Sequence, residues 1–275
     1  MPARGWRLGG AIRWGAFAAL LLLVLTCVSC TSDPDETEAS LLVGVATSVQ
    51  PAAAEFARRF EAEHGTVVTL VAGASGTLAA QVRQGAPLDL FVSADSRYSS
   101  ALAQDGLLDP ASLEVLATGE LVAITNLEGA EDVLEPLLRT GQVRQVALAN
   151  PDLAPYGHAA VSYLRDRGYW VELADRVAYG ENVAQAFQFV ASGNAEVGFV
   201  PRSLLIASDS RGIRALAPLP PEASSGLQVT VGMNVGSGNP NTVSEFIASM
   251  TDPQAADVWR RFGYTPHVAK VDGAE

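Results

Sequence analysis

Between residues 41 and 105, short apolar runs alternate three times with stretches of helical spacing. The runs 41–46, 66–72 and 88–92 are apolar at consecutive rather than alternate positions, the pattern of parallel strands covered by helices on both faces. The segments between them, 50–63, 76–84 and 96–105, read as helices, with Phe56 and Phe60 four apart on one face of the first. A second series follows: helix 131–139, strand 145–149, helix 157–167, strand 176–179, helix 183–192 and strand 196–200. Such alternation restricts the chain to the α/β class with doubly wound sheets. Segments 121–125 and 227–233 are extended, apolar and bracket the second series, so they are expected to carry the chain into a second domain and back. The prediction is two doubly wound α/β domains joined by a two-strand hinge, residues 41–121 with 230–275 in one and residues 122–229 in the other.

Ligands of doubly wound sheets collect at the carboxyl ends of strands, and four strand-to-helix junctions of this chain share one build. The first is Thr47-Ser48, with Ser48 expected to cap the helix that follows. The second is Gly73-Ala74-Ser75-Gly76-Thr77. Its two glycines admit turn conformations closed to other residues, so N–H groups and the hydroxyls of Ser75 and Thr77 converge. The third runs Asn150-Pro151-Asp152-Leu153-Ala154-Pro155-Tyr156-Gly157, with Tyr156 at the start of a helix. The fourth is Glu181-Asn182-Val183, where Asn182 caps a helix and leaves the N–H of Val183 as a free donor. Each junction aims the positive end of a helix at the strand ends. A bare N-cap explains any one of them; the repetition argues for an anion site. Two junctions fall in each predicted domain, so a ligand touching all four lies between the domains.

Residues 1–29 read as an export signal rather than as part of the fold. Arg4, Arg7 and Arg13 precede an apolar stretch of about a dozen residues, shorter than the ~20 of a membrane-spanning helix. It ends in Leu25-Thr26-Cys27-Val28-Ser29-Cys30, and an acidic tether over residues 30–40 follows. Cys27 and Cys30 are the only cysteines of the chain, and their place at the end of an export segment argues against a redox pair or half a metal site. Removing residues 1–29 takes away three arginines and no acids, which carries the formal net charge from -12 to -15. With one lysine, Lys270, such a chain does not suit nucleic acid, whose binding rests on neutralising phosphates. A small anion must then be held by local neutral donors against an adverse long-range field. No cluster of histidines and carboxylates stands at metal-ligand spacing.

The stretches Val45-Ala46-Thr47-Ser48, Gly73-Ala74-Ser75-Gly76-Thr77-Leu78-Ala79-Ala80-Gln81-Val82 with its continuation to Asp95, Ala149 to Gly157 with its Pro155-Tyr156-Gly157 turn, Glu181-Asn182-Val183, Ser192 to Val200 and Ala255 to Tyr264 agree in order and spacing with one family. From Leu41 to about His267 the chain resembles the periplasmic molybdate-binding proteins, type II solute-binding receptors of ABC-type molybdate importers. The resemblance implies the periplasmic binding protein fold, no enzymatic activity, no cofactor, and an oxyanion ligand. That ligand is molybdate or tungstate, which carry the same charge at nearly the same size. It implies contacts from the hydroxyl and N–H of Ser48 and of Ser75, with Thr47 beside them, from the main chain of Tyr156, and from the N–H of Val183. Molybdenum thus enters only as its oxyanion. Many members donate a tyrosine hydroxyl from the place just after the Gly-x-Val strand, which here is Pro201. The hydroxyl role is therefore assigned to Tyr156, as in a smaller branch of the family. The ending at Cys30 resembles a lipobox, with Cys27 as the other candidate, which implies an extracytoplasmic lipoprotein anchored to the cell membrane. The partners implied are an importer permease and the membrane beneath the anchor, the receptor itself being a monomer.

A fully ionised tetrahedral anion has only acceptors, so its site needs donors alone, whereas protonated phosphate requires an acceptor. Asp89, Asp95 and Glu181 lie near the junctions in sequence. They are read as capping or solvated acids, since a carboxylate buried beside a dianion is costly. Two alternatives stay open: a receptor for another oxyanion such as sulfate, and a serine hydrolase built from Ser75, His158 and Asp89. The second lacks a nucleophile elbow, because Thr77 stands where Gly-x-Ser-x-Gly requires glycine. Tyr98, Tyr163 and Trp170 are assigned to packing.

Overall fold

The computed structural model describes residues 40–129, 134–139, 143–208 and 210–267, which belong to one compact unit. Cys27, Cys30, the export segment, the tether to residue 39 and Lys270 lie outside the described residues. The strands are β1 (Ser40–Ala46), β2 (Val67–Gly73), β3 (Leu90–Ser93), β4 (Glu114–Thr118), β5 (Leu121–Thr125), β6 (Val146–Ala149), β7 (Val177–Gly180), β8 (Val197–Pro201), β9 (Arg214–Ala215), β10 (Gln228–Met233) and β11 (Thr265–Pro266). The helices are α1 (Gln50–His64), α2 (Ser75–Arg83), α3 (Ser96–Gln104), α4 (Leu134–Arg139), α5 (Pro155–Asp166), α6 (Trp170–Leu173), α7 (Val183–Ala191), α8 (Arg202–Ala207), α9 (Pro240–Thr251) and α10 (Ala255–Arg261).

Two sheets result, in the strand orders β11-β4-β10-β3-β1-β2 and β7-β6-β8-β5-β9. This is the expected α/β class with the periplasmic binding protein fold; each sheet with its helices is called a lobe below. In each, a parallel trio at one end (β2-β1-β3 or β7-β6-β8) is extended by antiparallel strands. Burial follows position: β3, β5, β6 and β8 are buried at every residue, whereas the edge strands β2 and β7 are partly exposed. That is the reason the central strands read as unbroken apolar runs.

The segments 121–125 and 227–233, expected to cross between domains, each belong to one sheet. β5 pairs with β8 and β9, and β10 pairs with β3 and β4. Sheet membership changes between Thr118 and Leu121 and again between Ala215 and Gln228. The true crossings are Gly119-Glu120 and the stretch that ends at Leu227. They lie side by side, the Gly119 N–H donating to the Leu227 carbonyl at 2.7 Å and the Leu121 N–H to Ser224 Oγ at 3.0 Å. A Cβ on Gly119 would overlap the Tyr156 hydroxyl, so the crossing requires glycine for lack of space.

Register decides where the junctions fall. Ala46 pairs with Gly73 and Val45 with both Ala72 and Val92, so β1, β2 and β3 end together and their following turns stand abreast. In the second lobe Ala149 pairs with Gly180, which aligns the ends of β6 and β7 in the same way. Under the first lobe's junctions, α1 lays Phe56 and Phe60 against the C-terminal helices. The ring of Phe56 is 5.0 Å from Trp259 and that of Phe60 is 5.1 Å from Phe246. Trp259 is 1% exposed and its indole N–H is spent on the Met250 carbonyl.

In the second lobe a single carboxylate fastens the start of β6 to β8. Glu196 accepts from the N–H groups of Arg144 and Gln145 at 2.9 and 2.8 Å and from the Arg144 guanidinium at 2.9 and 3.1 Å. Burial pushes this carboxyl up, but the Gln145 N–H together with the Arg144 guanidinium and N–H outweighs burial and holds it below the usual carboxylate value. A depressed folded pKa stabilises above the unfolded value and is lost as pH falls through the folded one. Glu196→Gln should therefore cost roughly 1–3 kcal/mol at pH 7, and the gap to wild type should close as pH falls below about 4. Urea denaturation from pH 3 to 8 measures it; a gap that stays constant would assign the loss to packing rather than charge.

Candidate functional site

Five of the lining segments of one small cavity come from strand-to-helix turns: 46–48, 73–75 and Ala94 from the first lobe, and 154–156 and 182–183 from the second. Its volume is about 10 Å³, on the measure by which one water needs ~10–15 Å³. A guest must therefore be compact. Grooves of about 360 and 450 Å³ exist elsewhere on the surface, so size does not single this cavity out. The chemistry of its walls does.

The side chains that carry polar atoms into it are hydroxyls. Thr47 and Ser48 are 6% and 1% exposed, and neither Thr47 Oγ1 nor Ser48 Oγ has a hydrogen-bond partner. Ser48 does not cap α1, contrary to expectation. The cap position belongs to Val49, whose N–H turns back to the Ala46 carbonyl at 2.7 Å, and this extra residue in the turn lifts the serine off the helix axis. What was read as a cap is thereby left facing the cavity. Ser75, 1% exposed, opens α2, and its Oγ accepts from the Ala94 N–H at 3.2 Å. With that acceptor direction taken, the Ser75 hydroxyl proton is free to donate.

Helix starts supply the rest. Asn182 caps α7 as expected, its Oδ1 accepting from the N–H groups of Ala184 and Gln185 at 3.0 and 3.2 Å, and its carbonyl from Ala186. Of the first-turn donors only the Val183 N–H is left over. In α5 the first helical residue is Pro155, which has no N–H, and His158 already donates to the Ala154 carbonyl. The leading free donor there is the N–H of Tyr156. The Tyr156 hydroxyl is directed elsewhere: it meets Gly119, beside the ring of Tyr264. The hydroxyl role read from the sequence is therefore replaced by a main-chain one, because the missing Cβ of Gly119 opens a slot on the far side of the ring.

Acceptors around the cavity are already engaged. The carbonyls of Ala46, Gly73, Ala74, Ala154 and Asn182 accept from Val49, Thr47, Leu78, His158 and Ala186. Among the described residues, no acid, lysine, arginine or histidine lines the cavity. Asp89 accepts from the Leu42 N–H and Ser237 Oγ. Asp95 caps α3 and holds Arg97 at 2.6 Å, and Glu181 is exposed. Burial first, and then the Tyr264 hydroxyl, raise the Tyr156 pKa well above its ordinary value. Burial also pushes Tyr264 up to about 12, against the lowering effect of its polar neighbours, Ser203 first and then Ser48, whose main-chain carbonyl accepts from the phenol. Both phenols therefore stay protonated and neutral at physiological pH. The arrangement is a ring of neutral donors, suited to a small fully ionised anion. The hydrolase triad does not assemble: His158 is exposed on a separate groove, Asp89 is committed, and Ser75 faces Ala94.

The rim is closed by contacts the sequence did not reveal. The Gly76 N–H donates to the Leu153 carbonyl at 2.8 Å, and the Tyr98 hydroxyl reaches the Asp152 carbonyl at 3.4 Å, both from first lobe to second. Tyr98, assigned to packing, is thus a rim residue.

Fold and site together define a solute-binding protein of two lobes. The chain belongs to the bacterial extracellular solute-binding protein family, whose model matches residues 41–265. The molybdate-binding protein ModA of Rhodobacter capsulatus is 28% identical over 256 residues, 92% of this chain and 96% of that protein. ModA of Azotobacter vinelandii is 30% identical over 227 residues, 82% of this chain and 90% of that protein. The solved structure of the Azotobacter vinelandii periplasmic molybdate-binding protein matches with a TM-score of 0.76 at 27% identity, covering 82% of this chain and 98% of that one.

A Cβ on Gly76 would lie 3.0 Å from the Cα and carbonyl oxygen of Leu153 and from the Tyr98 hydroxyl. Gly76→Ala is expected to part the lobes at the rim, giving a larger radius of gyration in small-angle scattering with an unchanged circular dichroism spectrum. An unchanged radius would show that the rim absorbs the methyl group without opening.

Proposed function

We propose that this protein is the extracytoplasmic receptor of an ABC importer and captures molybdate, or tungstate, between its lobes. The observation that carries the reading is the pair of buried, unpartnered hydroxyls on Thr47 and Ser48, set among free helix-start donors with no charged group beside them. A dianion offers only acceptors, and this ring can meet it with N–H and O–H donors and no carboxylate. The likeness to molybdate-binding relatives over most of the chain supports the same ligand class. Thr47 Oγ1, Ser48 Oγ and Ser75 Oγ donate to the ion, together with the N–H groups of Tyr156 and Val183. It works as a monomer, catalyses no reaction and needs no cofactor. Both lobes touch the ion only when joined, so binding favours the closed form, and that form docks on the permease. Cys30 carries the lipid that anchors the receptor to the outer face of the cytoplasmic membrane.

Isothermal titration of the purified protein with molybdate, tungstate, sulfate and phosphate in parallel tests the reading. Tight binding of the first two alone is expected. Ser48→Ala and Ser75→Ala should each lose about 1–3 kcal/mol of that binding, the worth of a hydrogen bond to a charged group, without a change in melting temperature. Wild-type affinity in both variants would remove these residues from the site, and preference for sulfate would reassign the ligand. Labelling of cells with radioactive palmitate should mark the wild-type chain and not Cys30→Ser; label that persists in that variant would move the anchor to Cys27.

A further inference from the structure

Behind the cavity lies a buried cluster of hydroxyls that the capture of an ion does not itself use. Ser203, 2% exposed, sits in the first turn of α8 in the second lobe, and its Oγ donates to the carbonyl of Ser48 at 2.6 Å. Tyr264, 4% exposed and just before β11 in the first lobe, donates its hydroxyl to the same carbonyl at 2.5 Å and lies 3.2 Å from Ser203 Oγ. Tyr156, from the second lobe, brings its hydroxyl to Gly119 next to the Tyr264 ring.

We propose that Ser203 is a positioning residue that latches the two lobes through the Ser48 carbonyl and so slows escape of the bound ion. This deepens the oxyanion reading above and rests on it. A carbonyl has two lone pairs, and here one goes to each lobe: Tyr264 from the same side, Ser203 from across the cleft. When the lobes part, Tyr264 keeps the Ser48 carbonyl satisfied, and of that carbonyl's two bonds only the one from Ser203 is lost. Opening therefore strands no buried acceptor, which makes the latch reversible. While both bonds hold, the Ser48 peptide is pinned from behind, and its Oγ keeps its aim at the cavity. Tyr156 ties the same cluster to the crossing at Gly119, so the residue that offers its N–H to the ion also fills the slot at the hinge.

The contribution of Ser203 is confined to the joined form, which separates it from a merely structural one. Stopped-flow tryptophan fluorescence with molybdate, Trp259 lying 5.4 Å from Tyr264, should show dissociation roughly three- to tenfold faster in Ser203→Ala, the worth of one neutral hydrogen bond. The association rate and the melting temperature without ligand should stay at wild-type values. Ser203→Thr, which restores the hydroxyl, should recover slow release. Wild-type binding with an unchanged dissociation rate in Ser203→Ala would overturn the latch and leave the oxyanion site standing. An equal loss of unliganded stability in Ser203→Ala, not recovered by Ser203→Thr, would overturn it in favour of a packing role. Silence of the wild-type protein towards molybdate, tungstate, sulfate and phosphate would overturn the oxyanion reading and the latch with it.

Discussion

Two hydroxyls that the fold leaves without partners, Thr47 Oγ1 and Ser48 Oγ, are the constraint on which the rest of this structure depends. Each costs about 1–3 kcal/mol while unsatisfied and buried, and a turn free to relax would twist to relieve it. The surroundings prevent this. The Thr47 N–H is held by Gly73, the Ser48 carbonyl by two hydroxyls, and the Val49 N–H by Ala46. Below the turn, α1 is wedged by Phe56 and Phe60 against Trp259 and Phe246. The aromatic core thus serves the site directly: it holds a costly arrangement of donors in place before any ligand arrives, the condition for strong electrostatic recognition.

The charge distribution follows the same logic. A chain with a net charge of -12 repels anions at long range, but beyond about 8–10 Å that repulsion is screened by salt. Within the cavity the nearest fixed charges are partial ones, on N–H groups and hydroxyls. The acids that sequence places close to the junctions are tied up: Asp95 by Arg97 and its own cap, Asp89 by the Leu42 N–H and Ser237. Glu196 is fastened to Arg144 at the other end of its strand.

Much of this was legible in the sequence because it is local. Parallel strands buried on both faces advertise themselves as apolar runs, and Asn182 before an apolar helical stretch could be read as a cap with Val183 next to it. Where reading failed, the deciding contact was distant. A hydroxyl just before a helix usually caps it, and the extra turn residue Val49 that moves Ser48 off the helix axis is visible only in three dimensions. The Tyr156 hydroxyl was aimed at the ion because nothing near it in sequence announces the slot at Gly119. Ser203 and Tyr264 lie 155 and 216 residues from the serine they support, and although Tyr264 ends one of the stretches shared with the family, nothing local ties either residue to that serine. β4 and β9 escaped notice for another reason: β4 is exposed at its first two residues and β9 has only two, so no apolar run forms.

Ser75 accepts the Ala94 N–H, and the junction carbonyls accept from their own turns. The cavity therefore gives hydrogen bonds more readily than it receives them: its free N–H groups can only donate, and its hydroxyls, whose lone pairs can accept, carry no negative charge to hold a proton. An ion that carries a proton of its own brings a donor to a wall of donors. The ring sorts ions by their state of ionisation as much as by their shape. An ion that enters fully ionised leaves the same way, so the capture step exchanges no proton with the solution and is uncoupled from pH wherever the ion itself does not titrate.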